Sequence, residues 1–320
     1  MKLLDLFSGL GGFSYGLERI GFKTVAFCEM DKYCKLVLQK HWKGVKIYNN
    51  VKEITKERLE ADGIESPDII TGGFPCQPFS HAGVSARRSL GQAHGFACDM
   101  QGTLFFDIVR IVKAKRPKAL ILENVKNLVG HDGGKTFSVI RQTIEEDLGY
   151  SFTYNVLDAQ SLVPQRRKRC IMVCFRDGQF SDFGFPELDG DPIPLKSILE
   201  PNPDPSFTLS DRMWEGHQKR TQRNLERGTG FTAFTADLDK PSNTIVARYY
   251  KDGKECLIPQ KGKNPRMLTP RECARLQGFP ESFVLYPSKT KAFQQFGNAV
   301  PSPLIQVVAE KMTKLLSKTK

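Results

Sequence analysis

The chain holds no run approaching the roughly 18 apolar residues a membrane helix needs, and its opening "MKLLDLFSGLGG" meets glycines too soon for a signal peptide. A cytoplasmic protein is expected. The eight cysteines include no CxxC pair, which argues against a zinc ribbon or a disulfide framework and for free thiols in a reducing compartment. No metal ligand set can be read, and internal repeats and low-complexity tracts are absent. Negative charge is also scarce: 47 Lys and Arg stand against 35 Asp and Glu, a net +12. The excess is uneven, because residues 201–320 hold 20 basic against 11 acidic side chains and residues 1–200 hold 27 against 24. A basic C-terminal part suits a polyanion such as nucleic acid, although a merely solvated basic surface would have the same composition.

What is present is enough for a sizeable core, with 40% hydrophobic residues in 320, and for more than one domain. Over the first 175 residues, "KLLDLF", "TVAFCE", "PDIITGG", "ALILEN" and "CIMVCF" read as buried strands. Helical stretches such as "DKYCKLVLQKHW" and "GTLFFDIVRIVKAK" alternate with them. That alternation predicts an α/β fold, a doubly wound and mostly parallel sheet with its ligand site beyond the carboxyl ends of the strands. Near residue 183 the pattern gives way to a Pro- and acid-rich stretch, and from about 205 to 290 basic and aromatic residues mix with weak periodicity. A second, smaller, irregular and β-rich domain over 188–290 is expected, with 1–187 and 291–320 forming the larger one. The last segment, "SPLIQVVAEKMTKLLSK", is an amphipathic helix.

"DLFSGLGGFSYGL" follows the first strand and opens the first helix, which brings backbone N–H groups close to a ligand. Gly9 and Gly11 fit the dinucleotide fingerprint, but Ser14 replaces its third glycine. Glu29 follows 20 residues after Gly9, at the end of the second strand, where an acid can bind ribose hydroxyls. A nucleoside pocket is therefore read in preference to a pyrophosphate site, with a plain packing turn as the alternative.

Cys76 sits in "GGFPCQPFS", just after a strand and between Pro75 and Pro78, which fix the backbone around it. A thiol held at the ligand edge is a candidate nucleophile, whereas Cys28, Cys170, Cys174 and Cys273 read as inert core. Glu123 and Asn124 end the apolar "ALILENV", where desolvation should raise the carboxyl pKa and leave an acid able to donate a proton; otherwise it would cap the next helix. "VPQRRKRC" offers Gln165, Arg166, Arg167, Lys168 and Arg169, with Arg167 and Arg169 alternating onto one face.

In order along the chain, "DLFSGLGG", "GGFPCQPFS", "LENV", "QRRKR", "RMLTPRECARLQGFP" and "QFGNAVPSPL" resemble the six motifs of the C5-cytosine DNA methyltransferase family, spanning Leu3 to about Leu304. The resemblance implies that Cys76 attacks C6 of a target cytosine while Glu123, as an acid, bonds N3. Arg167 would contact O2 with Arg169 in support. S-adenosyl-L-methionine is the implied cofactor. Its pocket would take Phe7, Gly9, Leu10, Gly11, Gly12, Glu29 for the ribose, Met30 against adenine, Pro75, Leu104, Asn298 and Val300. Two positions depart from the family pattern: Asn50 stands where an acid often meets the adenine amine, and Gln101 where an arginine is frequent.

The implied partner is double-stranded DNA, from which the base must be flipped. Gln77, Ser80, Arg87 and Arg88 are its expected contacts in one loop, and Arg248, Tyr249, Tyr250 and Lys251 in the smaller domain. "NTIVARYYKDGKECLI" resembles recognition segments for CC…GG sites such as CCWGG, CCNGG or CCGG, with Arg248 on a guanine; a plain hairpin turning at Asp252-Gly253 is the local alternative. The first strand begins at once, so a minimal prokaryotic or phage enzyme is expected: a monomer, either an orphan or the companion of a restriction endonuclease. A tRNA methyltransferase on the same scaffold, or a DNA-binding relative without activity, are the competing readings.

Overall fold

The structure is a computed structural model and describes residues 1–64, 66–75, 104–228 and 232–319. Its centre is a seven-stranded sheet in the order β3-β2-β1-β4-β5-β7-β6. The strands are β1 Lys2–Leu6, β2 Lys23–Cys28, β3 Lys46–Tyr48, β4 Ile69–Gly73, β5 Ala119–Val125, β6 Thr153–Asp158 and β7 Lys168–Phe175. The first five pair in parallel, whereas β7 runs antiparallel to both β5 and β6. Chain order reverses between β1 and β4, so the crevice expected at such a switch lies beyond their carboxyl ends.

Strand alternation divides the apolar side chains between two layers. Leu4, Leu6, Ile70, Leu120 and Leu122 face one layer, under α4 (Leu104–Lys115) and α5 (Lys135–Gln142). Leu3, Ile69, Ile121, Ile171 and Val173 face the other, under α1 (Gly12–Glu18) and the C-terminal helix α9 (Ser302–Leu316). Two glycines of α1 let the last helix approach: a Cβ on Gly12 would lie 2.6 Å from the Val300 carbonyl oxygen, and one on Gly16 2.5 Å from that of Ser302. The helices α2 (Lys32–His41) and α3 (Lys56–Ala61) complete the larger body.

The smaller lobe has its own apolar cluster, including Leu195, Phe207, Ile245, Tyr249, Ile258, Leu268 and Phe283. Its regular elements are α6 (Asp211–Glu226), the antiparallel pair β8 (Leu257–Gln260) and β9 (Lys263–Met267), and α7 (Pro270–Arg275). The hairpin turns at Lys261-Gly262, where Gly262 has φ +69°; the segment around Asp252-Gly253 instead forms a single helical turn, Tyr249–Lys251. "TPRE" folds as a capping box: Thr269 Oγ1 accepts the Glu272 N–H and a Glu272 carboxylate oxygen accepts that of Thr269. The same carboxylate holds Arg266 through two bonds of 2.8 Å, a buried pair that locks the lobe's core. Helix α8 (Lys289–Asn298) packs its Ala292, Phe293 and Phe296 into this cluster, and Leu10 from the glycine loop joins it.

Candidate active site

The ends of β1, β2, β4 and β5, the start of β7 and the end of α8 surround one cleft of about 620 Å³. After β1 the chain turns through left-handed backbone at Phe7, Gly9 and Gly11, with φ of 55°, 54° and 77°. Phe7 is the notable member, since a non-glycine residue in that region costs on the order of 1–3 kcal/mol. Ser8 Oγ donates to the Asp5 carbonyl (2.7 Å), and Gly9 N–H donates to Glu29 Oε2 (2.7 Å). Glu29 Oε1 accepts the Asp31 N–H, also at 2.7 Å, and burial holds the Glu29 pKa above its ordinary value.

Beneath this loop Asp5 is fully buried. Its two oxygens accept from Ser14 Oγ and Thr71 Oγ1, each at 2.8 Å, which ties α1 to β4. Desolvation nonetheless raises its pKa to about 7.

Glu123 stands opposite Gly73 in the β4–β5 register, and a Cβ on that glycine would come within 3.2 Å of Glu123 Oε2. Burial raises the Glu123 pKa, while the nearby Arg169 and Arg167 pull it back. Because β7 is antiparallel, its arginine-rich start lies at the edge where β5 ends; Arg169 pairs across from Val125. From there Arg169 Nε meets Glu123 Oε1 at 2.8 Å, the two side chains being 12% and 15% exposed. Asn124 turns the other way: its Nδ2 donates to the Phe74 carbonyl (2.9 Å) and its Oδ1 accepts the Val125 N–H. This fixes the backbone that leads to Pro75, a residue of the cleft wall.

Arg167 also lines the cleft, with much of its guanidinium engaged by backbone carbonyls. It is 1% exposed and donates to the carbonyls of Ile245 (3.0 Å), Gly297 (3.0 Å) and Ala299 (2.7 Å). Gln165, two residues earlier, accepts the Ile245 N–H and donates to the Leu276 carbonyl. These two buried side chains tie the small-lobe segment around Ile245 and the end of α8 to the sheet. The packing there is close: a Cβ on Gly297 would lie 2.3 Å from the Val246 carbonyl carbon.

Of the other residues expected at the cofactor, Phe7, Gly9, Glu29, Pro75 and Asn298 line the cleft. Leu10 is buried in the small-lobe cluster, and Gly11 and Gly12 abut Trp42 and Val300. Val300 itself is core. Leu104 is half-buried against the sheet. Met30 is 79% exposed. Asn50 is exposed, and its carbonyl oxygen already accepts the Lys52 N–H at 3.0 Å. Arg248 and Lys251 are exposed and Tyr250 half-buried. Tyr249 cannot meet DNA: it is 0% exposed, donates to the Cys256 carbonyl and accepts the Leu268 N–H. Cys76, Gln77, Ser80, Arg87, Arg88 and Gln101 lie outside the described residues.

The six cysteines among the described residues are all buried and free; burial pushes the thiols of Cys28, Cys170 and Cys256 up to about 12. That suits the inert reading. Asp31, Cys34 and Lys291 also line the cleft, though no sequence pattern singled them out; Gln295, which opens "QFGNAVPSPL", lines it as well.

A sequence profile described as C-5 cytosine-specific DNA methylase matches residues 1–314. The chain belongs to the C-5 cytosine-specific DNA methylase family. It is 43% identical to the type II methyltransferase M1.ScrFI of Lactococcus lactis subsp. cremoris, over 100% of this chain and 79% of that protein. Identity to the type II methyltransferase M.NlaX of Neisseria lactamica is also 43%, over 99% and 97% of the two chains. A crystal structure of a DNMT2 triple mutant from Spodoptera frugiperda superposes with a TM-score of 0.75 at 19% identity, covering 98% of this chain and 99% of that one. As a C-5 cytosine DNA methylase, this chain is a DNA (cytosine-5-)-methyltransferase built on the S-adenosylmethionine-dependent methyltransferase fold. No helix among the described residues is long and apolar enough to cross a membrane.

Proposed function

We propose that the chain methylates one cytosine of a specific duplex site through a covalent adduct between Cys76 and C6 of the base. The observation that supports this best is the buried Glu123–Arg169 pair at 2.8 Å, facing the cleft one strand away from Pro75, the residue before Cys76. Glu123, whose carboxyl burial pushes above its ordinary pKa, is the group that donates to N3 once protonated, drawing electron density from C6. Arg169 holds the acid and meets the base at O2, while Arg167 serves as the tie between sheet, α8 and small lobe. Attack by the Cys76 thiolate leaves an enamine whose C5 accepts the methyl group. Loss of the C5 proton and departure of the thiolate then restore the ring.

The residues fit S-adenosyl-L-methionine: a left-handed glycine loop brings backbone close, Glu29 offers a carboxylate, and Gln295 leaves a buried amide nitrogen unpaired. When bound, that group supplies an electrophilic methyl on a sulfonium. Phe7, Gly9, Glu29, Pro75 and Asn298 would hold it. A base inside a duplex cannot reach the cleft, so it is flipped out at a cost of a few kcal/mol. We divide the work between residues 1–187 with 291–320, for the chemistry, and 188–290, for the target. Exposed Arg248 is the candidate guanine reader of a CC…GG site.

The test uses the whole chain with methyl-labelled cofactor, duplex DNA and tRNA. Labelling of DNA that Cys76→Ala abolishes, with specific DNA binding retained, is the expected result. Labelling of tRNA alone, or full activity in Cys76→Ala, contradicts the proposal.

A further inference from the structure

Gln295 is 6% exposed and stands in the cleft wall beside Cys34, with Glu29 and Asp31. Its Nε2 has no hydrogen-bond partner, which native interiors seldom tolerate unless a ligand supplies the acceptor. Burial holds the neighbouring Cys34 thiol protonated against the opposing pull of the Gln295 side chain, and thiol sulfur is only a weak acceptor for that amide. Lys291, one turn earlier on α8, is already engaged: its ammonium donates to Gln294 Oε1 (3.1 Å) and lies 4.8 Å from the centre of the Tyr33 ring. The unmet group is thus a neutral donor on a wall that also carries two carboxylates.

We propose that Gln295 is a ribose-binding residue, its amide N–H donating to a hydroxyl oxygen of the cofactor's sugar. The assignment rests on reading the cleft as the S-adenosylmethionine site. A ribose diol needs both an acceptor for its O–H and a donor to its oxygen lone pairs. Glu29 can only accept when ionised, so Gln295 supplies the complementary half. The cofactor's other oxygen acceptor, its carboxylate, is a poor candidate here because Glu29 and Asp31 would repel an anion at this wall.

Calorimetry on the intact protein without DNA tests this through binding alone. The ligands are S-adenosylhomocysteine and methylthioadenosine; the second keeps the ribose but lacks the carboxylate. Gln295→Met should weaken both by the same factor, roughly tenfold, and should bind a 2′,3′-dideoxy methylthioadenosine as the wild type does. Gln295→Asn, which keeps an amide but withdraws it by one methylene, should show the same loss and decides the matter if the Met variant does not fold. A loss confined to S-adenosylhomocysteine would overturn the ribose assignment, as would unchanged affinity for both ligands. Failure of the wild type to bind either ligand would remove the cofactor reading itself, and the assignment with it.

Discussion

Replacing Arg167 by Met should unfold the junction between the lobes before it touches chemistry. The guanidinium donates to three buried carbonyls, those of Ile245, Gly297 and Ala299. Stranding each costs about 1–3 kcal/mol, so the gross loss is roughly 3–9 kcal/mol. Burying a thioether chain in place of a desolvated cation returns some of this, leaving a net destabilisation of about 2–4 kcal/mol. For a protein of this size that lowers the thermal midpoint by roughly 3–6 °C. Arg169→Met should behave oppositely. Glu123, having lost its partner, can take up a proton and avoid a buried charge, so the midpoint should move by only a degree or two while methyl transfer collapses. Calorimetric melting and single-turnover methylation on both variants make the comparison. An Arg167→Met protein with the wild-type midpoint but no activity would refute the assignment of Arg167 to the junction.

Asp5 makes stability depend on pH. Its carboxyl rises from 3.8 unfolded to about 7 folded, so the folded state binds the extra proton. Its contribution is complete below the unfolded value and is lost as pH climbs to about 7, by roughly 4 kcal/mol in all. Asp5→Asn should lose this slope, so that urea midpoints of the two proteins converge or cross between pH 5 and 8; parallel curves would contradict it. Gly297→Ala places a Cβ 2.3 Å from backbone of Val246. It should cost about 1–3 kcal/mol by overpacking and weaken duplex binding in a titration more than cofactor binding. Equal affinity for both in variant and wild type would show that the Val246 segment does not order the target lobe.

The five core strands were legible because strands buried on both faces are continuous apolar runs, as in "ALIL" and "CIMVCF". The edge strands β3 and β6 were not, since an edge needs less apolar surface; β6 has exposed residues at its centre. Helix α6 escaped notice for a related reason: in "DRMWEGHQKRTQRNLE" the buried residues are His217 and Thr221, so no apolar stripe marks it. At the site, the glycine loop, Glu29 and Glu123 carried their own signals. The contrast between Arg167 and Arg169 did not, because alternation puts both on one face. It is the antiparallel setting of β7 and the carbonyls of Ile245, Gly297 and Ala299, distant in sequence, that separate them. Gln295 opens the motif "QFGNAVPSPL", but its part was silent, since an unpaired amide can be recognised only once its neighbours are placed.

Duplex DNA from cells expressing the chain, treated with bisulfite and sequenced, reports activity, base and position together. Protected cytosines confined to one position of a CC…GG site, and lost in Cys76→Ala, are the predicted outcome. Complete conversion of every cytosine, or protection that persists without Cys76, would contradict covalent C5 methylation of DNA by this protein.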